Sequence, residues 1–188
     1  MVSTESAQAA VSEVSNAFSA FMEIEPPNAK HLSVRLYNNE YDKRQSAYID
    51  ARQTLINKGW EFLGEGSTRK VFLKNGIIVK VGKTVDDMRY NLEEAAGYVK
   101  LAFKGFTPDM FPDFYGVDEI YGAWILWEYI PISSKSDKAT HSYYAKEMQN
   151  WIYDIQVKYN VYFDAHSGNI ARTADGKFKI VDIGWVDN

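Results

Sequence analysis

The chain has 188 residues, a length that suits one sizeable domain or two small lobes. Hydrophobic residues make up 46% and aromatic residues 15%, so a packed core is expected and wholesale disorder is excluded. The net charge of −4 excludes a strong overall basic field for nucleic acid, and the absence of cysteine excludes disulfides, thiolate catalysis and cysteine-ligated zinc.

Targeting and membrane signals are not expected from the sequence. It has no apolar run near the roughly 20 residues that cross a bilayer. No basic residue precedes Lys30, so neither a secretory signal nor a mitochondrial presequence is predicted. We therefore expect a soluble cytoplasmic protein that binds neither membrane nor nucleic acid.

Residues 1–40 are predicted to form an N-terminal helical extension. Apolar residues recur there at spacings of three and four, as in an amphipathic helix: Val11, Val14, Phe18 and Phe21. Pro26-Pro27 is expected to end this helix. The sequence leaves open whether the helix packs on the body of the protein or is a mobile appendage.

The middle of the chain alternates predicted helices and strands. Helices are predicted at about 41–58 and 85–103, and strands at 60–63, 70–74, 77–81, 113–117 and 123–130. The dipeptide Asn75-Gly76 predicts a tight hairpin between two of these strands. A polar linker at 133–140, a helix at about 143–159 and two short strands around Asp175-Gly176 complete a chain of the α+β class.

Two glycines stand one residue apart in Gly64-Glu65-Gly66, between two predicted strands. Glycines in such a turn allow a backbone to approach a ligand closely and to direct N–H groups at phosphate oxygens. A simple tight hairpin is the alternative. Because a strand rather than a helix follows, the pattern is not a dinucleotide-binding fingerprint.

Lys80 lies among apolar residues in the predicted strand Ile77–Val81. One interpretation is a solvent-exposed residue of an edge strand. The other is a lysine that binds phosphates beneath the glycine turn and is held by a carboxylate. Glu93 and Glu94 on the next predicted helix are the candidates for that carboxylate.

The most specific pattern comes near the C-terminal end. Asp164-Ala165-His166-Ser167-Gly168-Asn169 is followed, after a short predicted hairpin, by Asp182-Ile183-Gly184. In phosphoryl-transfer sites one carboxylate orients a hydroxyl nucleophile, while an amide and a second carboxylate hold Mg²⁺ against nucleotide phosphates. Amide and carboxylate oxygens are hard ligands that suit Mg²⁺. The pattern therefore predicts ATP and Mg²⁺ as cofactors.

Taken together, these motifs resemble the protein-kinase-like superfamily in their order and rough spacing. More narrowly, residues 41–188 resemble the early serine/threonine protein kinases of short-tailed, T-odd bacteriophages. The similar segments are Asp42–Gln45, Gly59–Gly64, Val79–Gly82 and Asp164–Ile170. The resemblance implies a minimal two-lobed protein-kinase-like fold with an N-lobe at 41–130 and a truncated C-terminal lobe at 131–188.

The resemblance also implies roles for the lower-lobe residues. Asp164 corresponds to the catalytic base, and Asn169 and Asp182 correspond to the metal ligands. His166 takes the position of a lysine in eukaryotic protein kinases and of a histidine in many small-molecule phosphotransferases.

Roles for the upper-lobe residues follow in the same way. Gly64 and Gly66 would bind phosphates together with Lys80. Glu94 is preferred over Glu93 as the partner of Lys80, because Tyr98 and Leu101 follow it at four and seven residues. The segment 125–130 resembles the hinge, in which Trp127 is the gatekeeper and the backbones of Glu128 and Ile130 meet adenine.

Some features depart from the family pattern. Arg69 replaces the third glycine of the phosphate loop, and Tyr162-Phe163 replaces the usual His-Arg before the catalytic aspartate. The sequence also contains no activation segment after Gly184 and none of the helices that normally bind a peptide.

Three functions therefore remain open. The first is an ATP–Mg²⁺-dependent protein kinase that phosphorylates host proteins in the bacterial cytoplasm. The second is a kinase of small hydroxylated molecules, of the aminoglycoside or choline type. The third is a pseudoenzyme that binds and modulates a host protein.

Overall fold

The computed structural model describes residues 2–27, 33–131, 138–163, 169–173, 175–183 and 186–187, and side chains are not described for 138–145 and 186–187. The described residues form an α+β structure. Its helices are α1 (Thr4–Met22), α2 (Val34–Asn57), α3 (Arg89–Phe103) and α4 (Lys138–Tyr159). Its strands are β1 (Glu61–Glu65), β2 (Arg69–Lys74), β3 (Ile77–Gly82), β4 (Phe114–Val117), β5 (Trp124–Glu128), β6 (Tyr162–Phe163), β7 (Ile170–Arg172), β8 (Phe178–Ile180) and β9 (Val186–Asp187).

The chain divides into two compact units. The first comprises Met1–Asn91 with Tyr115–Leu126, and the second comprises Leu92–Phe114 with Trp127–Asn188. The boundaries predicted at residues 40 and 130 rest on motif positions and stay predictions.

A five-stranded sheet in the order β1-β2-β3-β5-β4 is the centre of the first unit. Strand β2 runs antiparallel to both of its neighbours, β1 and β3. The hairpin predicted at Asn75-Gly76 is confirmed, with φ of 51° at Asn75 and 78° at Gly76. Two successive residues with positive φ are typical of the primed turns whose twist matches that of the strands.

The two N-terminal helices cover one face of this sheet. In α1, Val14, Phe18 and Phe21 are fully buried, and they share a core with residues of α2 and β3. Of the two interpretations of α1, packing on the body of the protein is therefore the one that the structure shows. The driving force is the burial of a continuous apolar helix face against the apolar face of a sheet.

Helix α2 begins at Val34, seven residues before the predicted start at residue 41. Residues 34–40 are mostly exposed, so this first part of α2 contributes little to the buried apolar face on which the prediction depended. Ser33 is the N-cap, and its hydroxyl oxygen accepts a hydrogen bond from the N–H of Leu36 at 3.4 Å. A cap of this kind satisfies an otherwise unpaired amide of the first turn.

The second unit contains α3, α4 and two short strand pairs. Strands β7 and β8 form the hairpin predicted around Asp175-Gly176, and β6 pairs with β9, a pairing that the sequence did not predict. Helix α4 begins at Lys138 rather than at residue 143, and most of the predicted linker lies outside the described residues. Within the described residues, none of the helices combines the length and the apolar character that a membrane crossing requires.

Tyr48 on α2 connects the last residue of β3 with the residue that directly precedes β5. Its hydroxyl accepts a hydrogen bond from the N–H of Gly82 and donates one to the carbonyl of Ala123, both at 2.8 Å. The residue is fully buried, and burial raises the pKa of its hydroxyl well above the usual value. The hydroxyl therefore remains protonated and able to donate at any ordinary pH.

We expect Tyr48→Phe to lower the free energy of unfolding by about 1–3 kcal/mol, because the Gly82 amide and the Ala123 carbonyl lose their buried partner. Tyr153→Phe is the matched control, since Tyr153 is 67% exposed. Urea unfolding of both variants measures the difference. Equal stability of the two variants would contradict the buried role of the Tyr48 hydroxyl.

Candidate active site

The hairpin of β7 and β8 brings two of the predicted metal ligands together. Ile170 pairs with Ile180 in this hairpin, and the residues directly outside that pair are also joined. The carbonyl of Asn169 accepts hydrogen bonds from the N–H of Val181 at 2.8 Å and of Asp182 at 3.4 Å. Asn169 and Asp182 are therefore neighbours at the open end of one hairpin.

The turn of this hairpin fixes the register. The N–H of Thr173 donates to the carbonyl of Lys177 at 2.8 Å, and the N–H of Lys177 donates to the Thr173 hydroxyl at 3.1 Å. Gly176 has φ of 86°, a conformation in which glycine is strongly favoured. Because register fixes which residues meet, this turn determines that Asn169 lies opposite Val181 and Asp182.

The donor set of Asn169 and Asp182 fits Mg²⁺. Asn169 is buried and Asp182 is half-buried, so one side of the pair is shielded from bulk water. An amide oxygen and a carboxylate are the hard oxygen ligands that Mg²⁺ prefers, with its remaining positions taken by water and phosphate. Among the described residues, no group of three or more acidic or histidine side chains is placed to hold a metal ion.

Part of the predicted site falls on residues that the structure does not describe. Asp164 and His166 lie outside the described residues, as does Gly184. Their predicted roles stay predictions. The flanking residues Phe163 and Asn169 are described, and both are buried.

The glycine turn joins β1 to β2. The N–H of Gly66 donates to the carbonyl of Arg69 at 2.9 Å and closes the turn. Neither Gly64 nor Gly66 has a positive φ, and a Cβ added to either would meet no atom within 4 Å. The protein's own packing therefore does not require glycine at these two positions. The open space beside the backbone there is available to a ligand.

Lys80 lies in the middle strand of the five-stranded sheet, with β2 on one side and β5 on the other. Only 4% of it is exposed, and it pairs in register with Val71 of β2. The interpretation as an exposed residue of an edge strand is therefore wrong. Its main-chain carbonyl accepts a hydrogen bond from the side-chain amide of Asn91 at 3.3 Å, and Asn91 is fully buried.

The two candidate glutamates of α3 differ sharply in burial. Glu93 is exposed, whereas Glu94 is 1% exposed. Glu94 shares its helix face with Leu101, which is fully buried, and with Tyr98, whose ring packs against Phe111 at 5.1 Å between centroids. The face on which the preference for Glu94 depended is thus the buried face of α3.

The predicted hinge segment, residues 125–130, begins within β5 and extends two residues beyond its end. Trp127 is buried, and its ring lies 5.4 Å from that of Tyr98 and 4.8 Å from that of Phe114. The N–H of Glu128 donates to the carbonyl of Asp113 at 2.8 Å, so this amide already has a partner within the protein. Glu128 and Ile130 are both half-buried.

An ion pair connects the hinge segment with the hairpin that carries Asp182. The ammonium of Lys179 lies 3.6 Å from a carboxylate oxygen of Glu128, and both side chains are less than one-fifth exposed. Partly buried pairs of this kind are screened less by salt than surface pairs. The pair therefore favours one position of β8 relative to the end of β5.

Sequence reasoning missed the polar face of α2, at positions 41, 45, 48 and 52. These residues form hydrogen bonds with residues 82–86, at the end of β3 and directly after it. A usable signal was present, because polar side chains at spacings of four, three and four lie on one helix face. Burial and the hydrogen bond to Asp86 raise the pKa of Tyr41 to about 12, so its hydroxyl stays a donor at neutral pH.

Comparison with known proteins adds no relative. No protein-family model matches this chain, and a search of curated proteins found no match either. The function is therefore argued from the site.

We expect Gly64→Ala and Gly66→Ala to leave the free energy of unfolding unchanged or to raise it by about 0.4–1 kcal/mol, because the added methyl restricts the unfolded chain. Gly82→Ala is the contrasting variant, since its Cβ would lie 2.8 Å from the Thr84 carbonyl oxygen. It should lose about 1–3 kcal/mol through overpacking. Urea unfolding measures all three, and a strongly destabilised Gly66→Ala would show that the turn needs glycine for folding.

Proposed function

We propose that this chain is an ATP- and Mg²⁺-dependent phosphotransferase with a two-lobed protein-kinase-like fold. Within that class we propose a serine/threonine protein kinase of the early phage type. The observation that carries the proposal is the meeting of Asn169 and Asp182 at the open end of the β7–β8 hairpin. That pair corresponds to the metal-ligand motif of the superfamily, which the residue order alone had indicated.

The metal-binding part of the proposal concerns the side chains of Asn169 and Asp182. Asn169 and Asp182 would hold Mg²⁺, which when bound neutralises phosphate charge. The β7–β8 pairing at both residues uses main-chain atoms, so the amide and the carboxylate are not part of the strand ladder.

The nucleotide-binding part of the proposal rests on the first unit. Lys80 would bind the nucleotide phosphates, and the open glycine turn at Gly64 and Gly66 would cover them. A lysine 4% exposed in a middle strand is costly to bury unless its charge is used or compensated. Glu94, a carboxylate 1% exposed, is the compensating charge that the proposal assigns to Lys80.

The acceptor follows from the resemblance. Asp164 would orient the attacking hydroxyl of a serine or threonine, and His166 would assist it in the same loop. We propose host proteins in the bacterial cytoplasm as substrates. Catalysis would consist of positioning and electrostatic stabilisation, because phosphoryl transfer requires little covalent chemistry from the protein.

The test is phosphate transfer from labelled ATP with Mg²⁺, using the purified protein alone and with bacterial lysate, beside Asp164→Asn. Label on the protein itself or on lysate proteins, lost in Asp164→Asn, would support a protein kinase. Label only on added small hydroxylated acceptors would indicate a small-molecule kinase. No transfer with partner capture independent of nucleotide would indicate a pseudoenzyme and overturn the proposal.

We expect Asp182→Asn to lower the rate of transfer on the order of 100-fold or more and to raise the Mg²⁺ concentration required, because a charged ligand becomes a neutral one. Asp175→Asn is the matched control, since Asp175 lies on the same hairpin and is exposed. Transfer rates across a Mg²⁺ titration measure both effects. Equal Mg²⁺ dependence of the two variants would contradict the assignment of the metal ligand.

We expect Lys80→Met to abolish most of the transfer while Lys83→Met retains it. Lys83 has a different partner, because its ammonium lies 3.4 Å from a carboxylate oxygen of Glu65. Steady-state kinetics with varied ATP measure the effect on KM and kcat separately. If Lys83→Met rather than Lys80→Met loses ATP use, the phosphate lysine has been assigned to the wrong residue.

A further inference from the structure

One face of α2 forms hydrogen bonds with the last residue of β3 and with the residues that follow it. Four residues on this face, at spacings of four, three and four, hydrogen-bond residues 82–86: Tyr41, Gln45, Tyr48 and Arg52. We call this set the α2 brace. The spacing places all four side chains along one side of the helix.

The partners of the α2 brace come almost one after another between residues 82 and 86. The guanidinium of Arg52 donates to the carbonyl of Gly82 at 3.2 Å and to that of Lys83 at 2.9 Å. The side-chain oxygen of Gln45 accepts from the N–H of Val85 at 2.9 Å. The remaining two contacts join the Tyr48 hydroxyl with the Gly82 N–H and the Tyr41 hydroxyl with an Asp86 carboxylate oxygen, each at 2.8 Å.

The braced segment is connected to both candidate nucleotide-binding elements of the first unit. Gly82 ends the strand that carries Lys80, two residues away. The N–H of Lys83 donates to the carbonyl of Thr68 at 2.8 Å, and Thr68 lies in the connection that begins at Gly66. A shift of residues 82–83 would therefore move the end of β3 and the glycine turn together.

We propose that the α2 brace is a positioning device, which fixes the strand of Lys80 and the glycine turn in the arrangement that binds nucleotide phosphates. Arg52 is its main positioning residue. The inference rests on the proposed function, and it adds to that function a set of residues that do not touch the nucleotide.

Arg52 bonds residues 82 and 83 from a site where burial of its charge is costly. The core face of α2, with Ala51 and Leu55, already anchors the helix. Arg52 is 9% exposed, and burial lowers the pKa of its guanidinium, which shows the penalty of placing a charge there. One guanidinium nitrogen, Nη1, donates to both carbonyls, and its planar geometry directs its two N–H groups at successive residues of the chain.

The experiment compares four variants of the full chain. Arg52→Met removes the donors and keeps the apolar stem, while Arg52→Lys keeps a cation but replaces the planar guanidinium by a rotatable ammonium. Arg35→Met is the control for the chemical change, because Arg35 is exposed on the same helix. Val14→Ala is the control for lost stability, since Val14 is fully buried in α1 and is not part of the brace.

Two readouts are measured at a temperature where all variants are folded. The first is steady-state transfer with varied ATP. We expect Arg52→Met to lower kcat/KM for ATP about tenfold or more, because small misplacements of positioning groups have effects of this size. Arg52→Lys should recover part of the loss, and both controls should match the wild type.

The second readout is hydrogen–deuterium exchange, which should quicken at residues 80–86 in Arg52→Met and not in Arg35→Met.

The outcomes separate this inference from the proposed function. If the wild type transfers phosphate and Arg52→Met does so equally well, the positioning role is overturned while the kinase proposal stands. If Val14→Ala loses as much kcat/KM as Arg52→Met, general destabilisation explains the effect and the inference fails. If the wild type transfers no phosphate, the proposed function fails. Exchange at residues 80–86 then decides whether the brace holds this segment, and unchanged exchange would overturn the brace itself.

Discussion

The burial of β3 along its whole length is the constraint on which the rest of the first unit depends. All six residues of Ile77–Gly82 are buried, although Lys80 among them is charged. Ile77, Val79 and Val81 belong to the core shared with α1 and α2, and strand alternation directs Ile78 and Lys80 to the opposite face. A strand of this kind needs neighbours on both edges and cover on its apolar face, and the helices supply that cover.

This constraint explains why the first helix is integral to the unit. The sheet cannot leave its apolar face exposed to water, so α1 and α2 together act as the second layer of the core. Polar contacts at the rim fix the position of α1. The carboxylate of Glu13 accepts hydrogen bonds from the indole of Trp60 at 2.7 Å and from the ammonium of Lys74 at 2.8 Å. The predicted N-terminal extension is therefore part of the core of the first unit.

The sequence predicted well those features that local chemistry controls. Asn75-Gly76 specified its hairpin because both residues tolerate positive φ, and the apolar periodicity of α1 gave the helix and its buried face. The place of Lys80 in the sheet was not predictable, because insertion of β5 beside β3 is a pairing between distant parts of the chain. The early start of α2 was missed since its first turns are exposed and only the cap at Ser33 marks them.

The candidate site shows the same division between local and distant information. Asn169 and Asp182 were predicted to meet because a short hairpin separates them, and such a hairpin leaves little freedom for its ends. The α2 brace could not be assigned a role from its sequence spacing alone. Its partners are mostly main-chain groups of residues 82–86, and main-chain partners leave no signature in the side chains opposite.

Asp118 and Asp182 differ in the hydrogen bonds by which the structure holds them. Asp118 is buried, and its carboxylate accepts hydrogen bonds from the N–H groups of Ile120, Tyr121 and Ala123 at 2.9–3.3 Å. These bonds close the connection between β4 and β5, so this carboxylate has a structural task within its own loop. At Asp182 the strand pairing is made by the main-chain N–H. The fold therefore specifies the backbone position of Asp182, and the proposed function assigns its carboxylate to Mg²⁺.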